Sequence, residues 1–184
     1  MADGLFYVDS RMPFLVADQA AVTLSTTDLA LMPTGSLPVM GTNYFGFPGK
    51  AVRIHMFGRI TSAATPGNGT MTFYWGTNGA ANGVSICATQ AFALTASQTN
   101  LSWVADVTIR CRTIGSAGTL FGTGRLLFNN AIVTSDQMIP ASAPAASAAV
   151  DLTSSTLMIS PQFKRSGSTA ETIQVHEYMM LALN

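Results

Sequence analysis

Every odd-numbered residue from 101 to 111 is apolar (Leu101, Trp103, Ala105, Val107, Ile109, Cys111), and between them stand Ser102, Val104, Asp106, Thr108 and Arg110. Side chains alternate faces only in extended chain, so this period of two specifies a strand with one face in a core and the other open to water or a partner. Gly115-Ser116-Ala117-Gly118 breaks the pattern, and a second apolar-rich run over 119–128 completes a long antiparallel hairpin. A hairpin alone is marginal, so the other segments must supply a second sheet to cover its apolar face.

Alternation returns at 52–60, with Val52, Ile54, Met56, Gly58 and Ile60 on one side and Arg53, His55, Phe57 and Arg59 on the other. Thr65-Pro66-Gly67-Asn68-Gly69 is turn chemistry, and Met71, Phe73 and Trp75 alternate inward after it, which predicts a second hairpin. Short strands are expected at 84–88, 92–95, 150–152 and 156–163. In the last run, 172–183, the apolar parity set by Ile173 and Val175 switches at Tyr178 and Met180, and a β-bulge near His176-Glu177 reconciles the two. Pro140 to Ser147 is a low-complexity loop. Eight to ten strands and hardly a helix specify an all-β chain, an antiparallel β-sandwich of jelly-roll-like form. Residues 1–48 differ: Pro13, Pro33, Pro38 and Pro48 interrupt apolar clusters, giving an extended N-terminal arm ahead of a sandwich domain at 49–184. Such an arm lies either on its own sandwich or on a neighbouring subunit.

The chain has 9 basic and 9 acidic residues, 10 % of 184, against about a quarter in a typical soluble protein. So few charges, with no net charge, suit a surface covered by neighbours in an assembly, and the absence of a basic excess argues against nucleic acid as a partner. No apolar run approaches the about 18 residues that span a bilayer, and Asp3 and Asp9 stand where a signal peptide carries Lys or Arg, which argues against a membrane and against secretion. Cys87 and Cys111 read as buried thiols, with a disulfide between them the alternative.

Material for catalysis is thin. There is no GxSxG, no HExxH and no phosphate-binding loop, since Gly122-Thr123-Gly124-Arg125 lacks the Lys and following helix that a P-loop needs. Asp106 or Glu177 with His55 or His176 is the best available constellation, and the expectation is a non-enzyme with no cofactor and no metal. Arg53, Arg59, Arg110 and Arg112 fall on outward faces, either paired with acids on neighbouring strands or forming an Arg-rich docking stripe. Tyr44, Phe45, Tyr74 and Trp75 are core, interface or, in a lectin-like site, sugar-stacking residues.

Gly49-Lys50-Ala51-Val52-Arg53-Ile54, Gly58-Arg59-Ile60-Thr61, Thr99-Asn100-Leu101-Ser102-Trp103, Cys111-Arg112-Thr113-Ile114-Gly115-Ser116, Ile173-Gln174-Val175-His176-Glu177-Tyr178 and Leu183-Asn184 together resemble virion proteins of tailed bacterial viruses. The resemblance covers residue 49 to the C-terminus and implies a head decoration (cement) protein: a homotrimeric sandwich on the capsid exterior, bound to the major capsid protein and stabilising the shell. Under it, Phe6, Tyr7, Phe14, Leu15, Tyr44 and Phe45 of the arm and Arg53, Arg59, Arg110 and Arg112 of the sandwich are the expected capsid or subunit contacts. Removing 1–48 should then abolish capsid binding and leave the sandwich folded. The competing expectation is a tail or fibre-tip, or carbohydrate-binding, recognition module that uses the 76–83 loop.

Overall fold

The computed structural model describes residues 11–13, 19–33, 35–77, 83–141, 146–167 and 170–183, the first three by backbone alone. Among them there is no helix, and twelve strands form two antiparallel sheets. The larger sheet runs β1 (Arg11–Pro13), β12 (Thr172–Leu183), β4 (Ala51–Thr61), β8 (Leu101–Thr113), β9 (Thr119–Phe128), β10 (Gln137–Ile139), with β2 (Val22–Thr23) also on β12. The smaller runs β3 (Leu29–Ala30), β11 (Met158–Arg165), β5 (Asn68–Gly76), β6 (Val84–Ala88), with β7 (Phe92–Ala93) also on β5. The fold is an antiparallel, jelly-roll-like β-sandwich.

Period-two patterning places the core between the sheets. Ile54, Met56, Trp103, Ala105, Val107 and Ile109 from the larger sheet meet Met71, Phe73, Ile159 and Phe163 from the smaller, all buried. Cys87 and Cys111 lie in this layer as free, buried thiols. Glycine is required at position 58, where a Cβ would sit 2.0 Å from the Gln174 carbonyl oxygen and 2.7 Å from the Trp103 indole, its cross-strand partner. The expected bulge is present: register between β12 and β4 shifts between Val175 and Glu177, so Val175 and Tyr178 both face the core.

Three expectations about connectivity are corrected. Residues 52–60 and 70–75 do not form a hairpin, because β4 pairs with β12 and β8 in one sheet while β5 pairs with β11, β6 and β7 in the other. The turn chemistry at 65–69 is real, but it carries the chain across the sandwich. Residues 150–152 form only a bridge from Val150 to Gly118, and β10, a three-residue strand at the sheet edge, was not expected.

The described part of the arm from residue 19 onward folds over its own sandwich. β2 adds to β12 and β3 to β11, and Leu24, Leu31, Met32, Leu37, Met40 and Phe45 are buried in the common core. Polar ties fasten the same segment. Asp28 accepts from the Tyr74 hydroxyl at 2.9 Å and lies 3.6 Å from the Lys164 ammonium, while the Leu24 carbonyl accepts from Arg165 Nε at 3.0 Å. Arg165 is buried in an ion pair with the fully buried Glu171 at 2.9 Å, and the other oxygen of Glu171 accepts the Gly67 N–H. One ion pair thereby joins the arm, the crossing turn and the entrance to β12. Deletion of 1–48 therefore strips the core of the sandwich and does not leave it intact.

Candidate functional site

The outer face of the larger sheet is where polar chemistry collects. Antiparallel register places Met179, His55, Asp106, Arg125 and Met138 in one row across five strands, and Leu181, Arg53, Thr108 and Thr123 in the next. Arg53 is diagonal to Asp106 and reaches it as a fork: Nε donates to Oδ1 at 2.8 Å and Nη2 to Oδ2. Two parallel charge-assisted bonds fix both planar groups. The Arg53 hydrogen bond holds the Asp106 carboxyl below its ordinary range against the opposing effect of burial, and the charges of Arg53, His55 and Arg125 act in the same direction as the bond.

Around this pair lies an open groove of about 810 Å³, lined by Arg53, Asp106, Thr108 and Arg125, with Phe121, Met138 and Pro140 among its apolar walls. Its geometry depends on β9 and β10. At Gly124 a Cβ would stand 2.1 Å from the Asp106 carbonyl oxygen, so β9 approaches β8 more closely than any side chain allows. The three-residue β10 brings Met138, 65 % exposed, opposite Arg125. Arg110 is the cross-strand partner of Phe121, and the Arg112 guanidinium lies 4.4 Å from the centre of the Phe121 ring. Phe121 is left only 8 % exposed.

The expected site residues separate into groups. Arg53, Arg59, Arg110 and Arg112 are exposed on this face, as their parity implies. Arg53 pairs with an acid on the neighbouring strand, Arg59 donates to the Asn100 carbonyl at 2.8 Å, and Arg112 stacks on Phe121. Phe45 is inside the chain's own core, 1 % exposed, edge-on to Trp75 with ring centres 5.9 Å apart, and so is withdrawn from the contact set. Tyr44 is half-buried beneath Lys50, whose ammonium lies 5.1 Å from the ring centre, and burial pushes its phenol up. Phe6, Tyr7, Phe14 and Leu15 fall outside the described residues, as do positions 78–82 of the loop expected to hold a glycan.

Asp106 and His55, one of the constellations considered for catalysis, are cross-strand partners, but the carboxylate is already engaged by Arg53. Arg125, Thr108, Thr123 and Met138 join the site only through register. Thr123 and Arg125 stand in the Gly122-Thr123-Gly124-Arg125 stretch that resembles a P-loop only in its glycines, and nothing local in the sequence pairs these positions.

No family model and no curated protein matches this chain. Among solved structures, similarity is found to the metal-free form of lectin I-B4 from Griffonia simplicifolia, with 11 % identity over 90 % of this chain and 93 % of that one and a TM-score of 0.37. The botulinum neurotoxin serotype C1 binding domain is 14 % identical over 78 % of this chain and 35 % of that one, with a TM-score of 0.31. The binding domain of botulinum neurotoxin DC, in complex with SialylT, is 11 % identical over 90 % and 44 %, with a TM-score of 0.32. The chain thus spans less than half the length of each of these two toxin structures.

Proposed function

We propose that this protein is a non-catalytic recognition module that holds a carbohydrate in the groove on the outer face of its larger sheet. The observation that carries this reading is the composition of that groove: a preorganised Arg53–Asp106 fork and the Thr108 and Thr123 hydroxyls beside the apolar surface of Met138 and Pro140. A sugar ring presents hydroxyls that both donate and accept at its edge and a band of C–H groups on its face. The carboxylate accepts, the guanidinium donates, the threonines do both, and the apolar wall covers the C–H band. The groove is open, so an oligosaccharide enters without any rearrangement of the sheet. A glycan array probed with the full chain tests it: binding to a defined set of glycans, lost in Thr108→Val/Thr123→Val, is the expected result. An array without signal refutes the reading.

A second reading, a capsid decoration protein that forms a homotrimer and grips the major capsid protein on the virion exterior, is favoured by a different observation. Val39, Phe47 and Ile114 are each about half exposed, large and apolar, on a chain with very little charge to keep copies apart. Contacts repeated over a shell stabilise only the assembled state. Light scattering of the purified chain, with and without empty capsids, tests it: a trimer that co-sediments in a saturable ratio supports decoration, and a species that ignores capsids removes it.

A further inference from the structure

The chain is neutral as a whole, but its charge is not spread evenly. Arg53 and Arg125 line the groove, Arg110 and Arg112 stand beside its Phe121 wall, and Arg59 lies further along β4, against Asp106 and Glu177 on the same face. Within β4, β8, β9, β10 and β12, five arginines therefore stand against two carboxylates on this outer face. Among the described residues, Asp106 is the only carboxylate ion-paired to any of these arginines, and it is held by Arg53. Arg125 faces Asp106 across the register, and Arg110 and Arg112 form no ion pair among the described residues.

From the position of Asp106 to Arg112 along β8, guanidinium groups line about 20 Å of sheet, roughly 3.3 Å per residue. That is a track, longer than one small anion needs. We propose that the groove's ligand is a linear anionic glycan, a chain of sugars bearing carboxylates, read by Arg110, Arg112 and Arg125 beside the Arg53–Asp106 fork. This inference rests on the carbohydrate reading and specifies its charge class. Arginine suits the role because its planar fork matches a carboxylate with two parallel hydrogen bonds. Nucleic acid fits less well. Phe121, capped by Arg112, offers no open ring for a base to stack on.

The test uses the full chain and four probes in calorimetry at 50 and 200 mM salt: oligogalacturonate, neutral dextran oligomers, poly-glutamate and duplex DNA. Expected is binding to oligogalacturonate that weakens severalfold at the higher salt, as charge screening requires. Arg110→Gln/Arg112→Gln should weaken it at least tenfold with only a small fall in the unfolding midpoint, from the loss of the Arg112 contact with Phe121, because both side chains are exposed, while Arg59→Gln leaves binding unchanged. Equal binding to dextran overturns the charge class but leaves the carbohydrate reading standing. Tighter binding to poly-glutamate or DNA overturns the inference in favour of a protein or nucleic-acid partner, and binding to none of the four overturns it as well.

Discussion

Phe45→Ala distinguishes an arm that docks elsewhere from an arm that is core. Phe45 is 1 % exposed, packs edge-on to Tyr44 and Trp75 with ring centres 5.1 and 5.9 Å away, and belongs to the same apolar cluster as the inner faces of both sheets. Truncating a buried Phe to Ala costs about 3–5 kcal/mol, made of lost transfer free energy and the cavity left behind. A domain of ordinary stability has about 5–15 kcal/mol in total. For a chain of this size the same loss lowers the thermal midpoint by about 6–20 °C, at roughly 2–4 °C per kcal/mol. Urea unfolding followed by Trp fluorescence measures it, with Phe47→Ala as the control: Phe47 is two residues on but 49 % exposed, and its truncation should change stability by no more than about 0.5 kcal/mol. If Phe45→Ala unfolds within about 1 kcal/mol of the parent, the placement of Phe45 in the core is wrong.

Glu171→Gln leaves the buried Arg165 guanidinium without its counter-charge, and breaking such a pair from one side costs about 3–5 kcal/mol, readable in the same urea titration; a neutral result would mean the pair is solvated. Asp106 titrates below the ordinary carboxylate range, so whatever its pairing adds to stability is present above pH 4 and is lost as pH falls through the lowered value. Carboxyl chemical shifts followed against pH should show that low pKa in the parent and a return toward the usual range in Arg53→Gln. Burial pushes the Cys87 thiol up to about 12 and raises that of Cys111, so in the folded chain both should react with a thiol reagent at pH 8 far more slowly than in denaturant; rapid modification of the native chain would contradict their burial.

The parts of this fold that declare themselves locally are the long strands with one wet face. In β8, Trp103 to Cys111 alternate strictly because the inner face meets the second sheet while Asp106, Thr108 and Arg110 stand outside, and the phase slip at His176-Glu177 is legible for the same reason. What local pattern cannot encode is partnership. The glycine-rich turn after Thr65 says that the chain reverses, but not into which sheet, and β4 takes as neighbours a strand from the C-terminus and the central hairpin. The arm is illegible for a related reason: prolines abolish its periodicity, so whether Leu31 and Phe45 face their own core or another subunit is decided by tertiary burial alone. At the groove, the outward parity of Arg53 and Arg110 was readable residue by residue. The diagonal that brings Arg53 onto Asp106, and the short β10 that sets Met138 opposite Arg125, exist only once register is known.

The position of β12 has a kinetic corollary. It lies between β1 and β2 on one side and β4 on the other, pairing Ile60 with Ile173 and Ile54 with Met180. On a ribosome, β4 emerges early and then waits as an eleven-residue strand with one edge of unpaired amides until residues 172–183 have been made. Closing such distant pairs is slow, on a scale of milliseconds to seconds for sandwiches of this kind. A nascent chain stalled before residue 172 therefore presents an open ladder along β4, the point at which chaperone capture competes with edge-to-edge aggregation.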